Sequence, residues 1–331
     1  MMNRRLFTRR LLAIPALPLL GYTGPAPRRR IFPNRLHRGD TVGLITPGSY
    51  LTDDGLERAY RQIEELGLRV KPGKNIREER GFLAGTDTQR LDDLHAMFAD
   101  PEVKGIWAGR GGYGCGRLLP ELNYRLIEEH PKVLLGYSDI TALLNAITLR
   151  TGLVTYHGPV GSTDLSQYTR QQLINAVMQE GQYADIRPVD EDQAAYVITP
   201  GQASGTLWGG NLSLLASVAG TDYAPPVRGS LLFVEDIGEK PYRIDRMLTQ
   251  LRQAWPLEEA AGIVLGVFAD CEADADDRSL TLRETLTDRL GDLGIPVAYG
   301  FPIGHVDHMS TLPVGATAYL DTEKMSLTIG E

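Results

Sequence analysis

Lys-Val-Leu-Leu-Gly-Tyr-Ser-Asp-Ile-Thr-Ala-Leu, residues 132–143, places a strand, a tight turn and a helix end to end. Val133-Leu134-Leu135 is a short apolar run of the kind that a strand buried on both faces requires, and a helical pattern follows with no linker between. Strand, tight turn and helix in direct succession push one hydroxyl, that of Ser138, out at the carboxyl edge of a sheet. Two readings of that hydroxyl compete. A serine so presented is a nucleophile with helix-start amides nearby to hold an oxyanion. Serine is also a favoured helix N-cap, and the stretch lacks the second glycine of the G-x-S-x-G pattern, since Ile140 stands there.

Outward from this junction the same alternation repeats. Thr41-Val42-Gly43-Leu44-Ile45-Thr46 reads as a first buried strand stopped by Pro47-Gly48, and an amphipathic helix from Asp53 to Leu66 closes at Gly67. Leu68-Arg69-Val70 gives a second strand. Thr86 or Asp87 caps a helix through Leu91, Leu94 and Met97, and Gly105-Ile106-Trp107-Ala108 makes a third strand. After the Ser138 helix, which ends near Leu149, Leu153-Val154-Thr155-Tyr156 supplies another. Strands alternating with helices predict a parallel sheet covered on both faces.

From about Gly161 to Gly201 the pattern weakens to one helix, near Gln171 to Met178, and a polar, acidic stretch. Beyond it the second half opens with Ser204–Trp208, and strands are expected at Leu231–Val234, Gly262–Val267, Val297–Tyr299, Ala316–Leu320 and Ser326–Ile329, with helices at Asp245–Arg252 and Thr281–Leu290. More strands than helices predicts a closed or half-closed barrel-like sheet. The expected layout is a leader over 1–30, an α/β domain over 38–165, a linker over 166–200 and a second domain over 201–331.

The formal net charge of −8 across 331 residues, with no basic stripe beyond the extreme N-terminus, disfavours nucleic acid as a partner. At that N-terminus Arg4-Arg5-Leu6-Phe7 and Arg9-Arg10 precede an apolar run from Leu11 to Leu20 and small residues up to Ala26. A charged segment, a short apolar core and a small-residue end predict an export signal resembling the twin-arginine type, hence a periplasmic protein. Asn3 replaces the usual Ser or Thr, and a disordered basic tail on a cytoplasmic protein is the alternative. No other segment is long and apolar enough to span a membrane. The two cysteines, Cys115 and Cys271, read as free thiols.

Three further stretches carry candidate chemistry. Arg110-Gly111-Gly112-Tyr113-Gly114 follows the third strand, where adjacent glycines let backbone amides approach a negative group. Its spacing fits neither a P-loop nor G-x-G-x-x-G. Glu235 ends an apolar strand, from where a carboxylate can orient a histidine or simply be solvated, while Asp236 and Glu239 read as solvated or as caps of the helix near Pro241. Gly304-His305-Val306-Asp307-His308 offers a loop histidine as proton carrier, or, with the acidic run Asp270 to Asp277, metal ligands in a spacing typical of neither zinc nor calcium. A strand-end serine, a later carboxylate and a still later histidine follow the order of α/β hydrolases. In that arrangement His305 takes the Ser138 proton, Glu235 holds the imidazole tautomer, and the amides of Asp139 and of the Gly111-Gly112 loop bind the oxyanion.

Taken in order, Arg110-Gly111-Gly112-Tyr113-Gly114, Gly136-Tyr137-Ser138-Asp139, Trp208-Gly209-Gly210-Asn211-Leu212, Val234-Glu235-Asp236 and Gly304-His305 resemble the L,D-carboxypeptidases that act on muropeptides. That family also includes the microcin C self-immunity peptidases. The resemblance covers the chain from about Arg38 onward. It implies a flavodoxin-like or amidotransferase-like N-terminal α/β domain, a barrel-like swivelling C-terminal domain, a homodimer, and a Ser138–Glu235–His305 triad needing neither metal nor cofactor. The implied reaction cuts the bond between the L-centre of meso-diaminopimelate and the terminal D-Ala of a murein tetrapeptide. Trp208 and Asn211 are the expected lining of the substrate pocket, with a core Trp and an Asn N-cap as the alternative. The competing functions are degradation of aminoacyl nucleotides of the microcin C type and muropeptide binding without chemistry.

Overall fold

The computed structural model describes residues 29–179, 185–189 and 195–330. The leader expected over 1–30 lies outside the described residues except for its last two, as does the acidic stretch Asp190–Asp192 of the linker.

The first sheet is built from β1 (Thr41–Ile45), β2 (Arg69–Pro72), β3 (Val103–Ala108), β4 (Val133–Gly136) and β5 (Thr155–His157), all parallel in the spatial order β2-β1-β3-β4-β5. This is the flavodoxin-like order, and its switch point, where ligands bind in open α/β sheets, lies between the carboxyl ends of β1 and β3. The connecting helices are α1 (Asp53–Glu65), α2 (Asp87–Ala99), α3 (Tyr124–Glu129), α4 (Thr141–Thr151) and α5 (Gln167–Val177). Their ends are fixed locally: Thr52 accepts the Gly55 amide, Thr86 and Gln89 form a capping box, and Gly152, at φ 79°, closes α4 in the left-handed conformation.

The second sheet holds β6 (Tyr196–Thr199), β7 (Gln202–Asn211), β8 (Ser230–Ile237), β9 (Gly262–Ala269), β10 (Val297–Tyr299), β12 (Thr317–Asp321) and β13 (Ser326–Gly330). Its order is β13-β12-β7-β8-β9-β10-β6, with the four central strands parallel and the flanking ones antiparallel, curled into a half-barrel. Helices α6 (Leu212–Val218), α7 (Pro241–Ala254) and α8 (Leu282–Leu290) make its crossovers. The expected strand and helix positions fall within a few residues of these. β11 (Leu312–Val314), absent from the sequence reading, leaves the second unit to pair antiparallel with β5 at the edge of the first sheet. Pro313 at its centre reads as a loop residue and is tolerated because the strand is at an edge.

One core joins the two sheets. It runs from Phe98 and Leu134 through Leu143, Leu144 and Ile147 of α4 into Leu212 and Leu215 of α6 and on to Phe233 of β8, while a second cluster lies between the other face of the first sheet, α1 and α5. Helix α4, which begins at the Ser138 turn, is therefore buried along most of its length, and that fixes the Ser138 turn against the second sheet.

Candidate active site

At the end of β4 the chain has almost no freedom. A Cβ at Gly136 would lie 2.9 Å from two side-chain carbons of Ile140, so only glycine fits there. Tyr137 is extended, and Ser138 then takes φ 61°, a left-handed conformation uncommon for a residue with a side chain. Such a conformation holds strain of order 1–3 kcal/mol and persists only where its surroundings dictate it. A short 3-10 turn, Ser138–Ile140, leads into α4, and neither the turn nor the helix receives a side-chain capping bond; the N-cap position of α4 is Ile140. Ser138 is thus not spent as a cap.

The glycine loop after β3 comes against this hydroxyl. A Cβ at Gly111 would sit 2.9 Å from Ser138 Cβ and 3.2 Å from both Ser138 Oγ and the Asp139 nitrogen, and one at Gly112, where φ is 83°, would collide with Ser49 Oγ at 2.3 Å. The loop is fastened at both ends. The Ser49 amide donates to Gly111 O at 2.9 Å, Tyr113 N donates to Ser49 Oγ at 3.1 Å, and Cys115 N donates to Asp139 Oδ2 at 2.8 Å. Asp139 therefore serves the site by its buried carboxylate as well as by the position of its amide. Arg90, which sequence reasoning missed, is buried beneath: its guanidinium donates to the Pro47 carbonyl and pairs with Asp87 at 2.5 Å. These loops occupy the switch-point crevice between β1 and β3.

The second sheet contributes the other half. Glu235, at the end of β8, is fully buried rather than solvated, and its Oε2 lies 2.8 Å from His305 Nδ1. The approach depends on Gly304, at φ 107°, where a Cβ would fall 2.6 Å from Glu235 Oε2. The Tyr137 ring, one residue before Ser138, packs against the His305 ring with centroids 4.6 Å apart, so the pair stands beside the Ser138 turn. Asp236 corrects the sequence reading. It is buried and accepts from Asn211 Nδ2 (2.9 Å), Ser213 N (3.0 Å) and Ser213 Oγ (2.8 Å), serving the start of α6 rather than solvent or α7. Its burial raises its carboxyl above the usual range.

His157, on β5 beside Gly136, was also missed. It is wholly buried, packs against Phe233 (5.1 Å) and Tyr137 (6.1 Å), and burial first, then the neighbouring His305, hold its pKa down to about 3. It is neutral in the working range, a polar wall rather than a second base. Both cysteines are buried free thiols. Burial raises Cys115 well above its ordinary value and pushes Cys271 up to about 12, so neither is poised as a nucleophile. Among the described residues no three His, Cys, Asp or Glu side chains converge as a metal site; His305 is engaged by Glu235, and the His308 ring packs on Tyr168 at 5.8 Å.

The Trp208–Leu212 motif lies at the joint between the sheets. Trp208 is in the common core, and Asn211 caps α6 through Oδ1 while its Nδ2 goes to Asp236. From α4, Asn145 Nδ2 donates to Gly209 O at 2.8 Å and Thr141 Oγ1 accepts from Asn211 N at 3.1 Å. Gly209 and Gly210 have φ of 147° and 136°, and a Cβ on Gly210 would fall 2.5 Å from Thr141. Gly210 is bare so that the two units can touch, whereas a Cβ on Gly209 would strike Phe233 O of the neighbouring strand at 1.9 Å.

Comparison with known proteins agrees with this geometry. Residues 42–158 match the LD-carboxypeptidase N-terminal domain and residues 204–320 the LD-carboxypeptidase C-terminal domain. The chain belongs to the LD-carboxypeptidase family. Within it, a probable murein peptide carboxypeptidase of Bacillus subtilis is 43% identical over 304 residues, covering 90% of this chain and 93% of the relative. A murein tetrapeptide carboxypeptidase of Pseudomonas aeruginosa is 36% identical over 294 residues, 86% of this chain and 94% of the relative. Among solved structures, an MccF-like protein from Bacillus anthracis superposes with a TM-score of 0.78 at 31% identity, covering 90% of this chain and 99% of that one. Membership of this LD-carboxypeptidase family makes the chain a peptidase of the carboxypeptidase class.

Proposed function

We propose that the chain is a serine L,D-carboxypeptidase that removes the terminal D-Ala from murein tetrapeptides, leaving the tripeptide ending in meso-diaminopimelate. The observation that carries this reading is an uncapped, left-handed Ser138 whose neighbour Tyr137 packs its ring on the histidine of the buried Glu235–His305 pair. Ser138 Oγ attacks the diaminopimelate carbonyl as His305 takes its proton, and the carbonyl electrons move onto an oxyanion facing the amides of Asp139 and the Gly111–Gly112 loop. His305 then gives that proton to the departing D-Ala nitrogen as the amide bond breaks. Water, deprotonated in turn by His305, releases the tripeptide and restores Ser138. Glu235 holds the imidazole throughout, and no step calls on a metal or cofactor. The names of the B. subtilis and P. aeruginosa relatives support the murein substrate. On this reading the protein works as a homodimer in the periplasm, delivered by the basic–apolar segment at residues 1–30.

The test is incubation with murein tetrapeptide and with its L-Ala-terminated epimer, reading product mass with and without a chelator. Release of D-Ala alone, unchanged by chelation, is the expected result. A second reading has support of its own: a microcin C7 self-immunity protein solved in complex with aspartyl sulfamoyl adenosine shares this fold at 26% identity and a TM-score of 0.81, which fits a peptidase acting on aminoacyl nucleotides. An acyl-sulfamoyl adenylate cut faster than tetrapeptide would favour it.

A further inference from the structure

We propose that the cleft on the outer side of His305 is a subsite for a zwitterionic amino-acid head group, the ammonium and carboxylate borne by the D-centre of meso-diaminopimelate. Naming that residue rests on the function proposed above; the charge chemistry of the cleft stands on its own.

The cleft is about 620 Å³ and is lined by His305, Asp307, Asp270 at the end of β9, Tyr196, Tyr299 and Arg283. The Tyr196 and Tyr299 rings stack at 4.9 Å and 24°, and the Arg283 guanidinium lies over Tyr196 with its central carbon 4.3 Å from the ring centroid. A guanidinium stacked by its face keeps its edge donors free to grip a carboxylate in a fork. Among the described residues no carboxylate pairs with Arg283, although acids share its cleft. Glu272 turns one oxygen to the Leu282 amide at the start of α8, 3.3 Å away. Asp270 and Asp307 are exposed, with no side-chain partner among the described residues.

This charge set selects among ligands. A simple anion would meet more carboxylates than guanidinium groups, and a simple ammonium would leave Arg283 unused. A head group with both charges suits both. The location agrees with the chemistry, because the residue whose carbonyl is attacked must project its side chain from beside the nucleophile and its histidine, and His305 is a wall of this cleft.

The test is binding to the Ser138→Ala variant, which keeps the chain whole and separates recognition from turnover. Tetrapeptides carrying meso-diaminopimelate, diaminopimelate amidated at the D-centre, or lysine at the third position are titrated by calorimetry. The native zwitterion is expected to bind about tenfold or more tightly than either of the others, as one charge-assisted fork implies. In Ser138→Ala/Arg283→Gln the preference for the carboxylate over its amide should collapse to within about twofold, and Arg283→Lys should retain only part of it. Equal binding of the three peptides, no binding of any, or a parallel loss for all of them in the Arg283→Gln background would overturn the subsite. Turnover by the unmodified chain reports separately: discrimination without cleavage sinks the proposed reaction and keeps the subsite, whereas cleavage of all three at equal kcat/KM does the reverse.

Discussion

The two sheets contribute to the site by different physical means. The first prepares its half through the backbone: Ser138 is held left-handed, and Gly136 and Gly111 are bare because neighbouring atoms leave no room for a Cβ. The second prepares its half through side chains, with a carboxylate removed from water and paired to an imidazole at 2.8 Å. Strain placed in a turn presents an atom, while burial of a charge orients one. Neither half is sufficient, and α4 with the Gly209–Asn211 segment holds them in register.

Breaking the side-chain half should have the largest effect. His305→Ala is expected to lower kcat/KM for tetrapeptide by about 10⁴–10⁶, and adding Ser138→Ala should cost little more, because the groups act as one unit. A double variant far worse than either single one would separate the two halves. Next comes the glycine that lets them meet. In Gly304→Ala the new methyl crowds Glu235 Oε2 at a positive φ, and displacement of His305 by about an ångström should reduce kcat about 10²-fold. Gly116→Ala, where a Cβ meets nothing within 4 Å, should leave kcat unchanged.

Weakening the joint should affect both halves moderately. Asn145→Ala leaves the Gly209 carbonyl without that donor in a buried setting, and urea denaturation should record a loss of about 1–3 kcal/mol. The effect that is smallest at neutral pH concerns acid. His157 has a folded pKa of about 3 against an ordinary value of 6.5, so below pH 6.5 the unfolded chain takes up a proton that the folded chain refuses. Its neutral form thus favours the fold fully above that window, and stability is lost as pH falls, with a slope approaching about 1.4 kcal/mol per unit down to pH 3. Subtracting the stability profile of His157→Gln from that of the natural chain should isolate this slope; superimposable profiles would mean that His157 is hydrated.

Much of this was legible in the chain. The apolar runs, the Gly136-Tyr137-Ser138 turn and the glycine loop announce a parallel sheet with chemistry at its carboxyl edge, because local spacing determines them. What eluded the sequence depends on contacts across long separations. Leu312-Pro313-Val314 is a strand only because β5 has a free edge to pair with. Asp236 is buried only because Asn211 and Ser213 arrive to donate to it, and Arg90 is affordable in the interior only beside Asp87 and the Pro47 carbonyl. His157 gave the weakest signal, a lone histidine ending a strand, and its surroundings come from both sheets.

On the proposed reaction Ser138 is an activated nucleophile and not a turn residue. The direct measurement is kcat/KM for D-Ala release from murein tetrapeptide by the natural chain and by Ser138→Ala, with thermal melts confirming that both are folded. A fall of about 10⁴ or more with little change in melting temperature is expected. A folded Ser138→Ala enzyme retaining more than about a tenth of the activity would contradict it, since a fall of less than tenfold amounts to under about 1.4 kcal/mol of transition-state stabilisation.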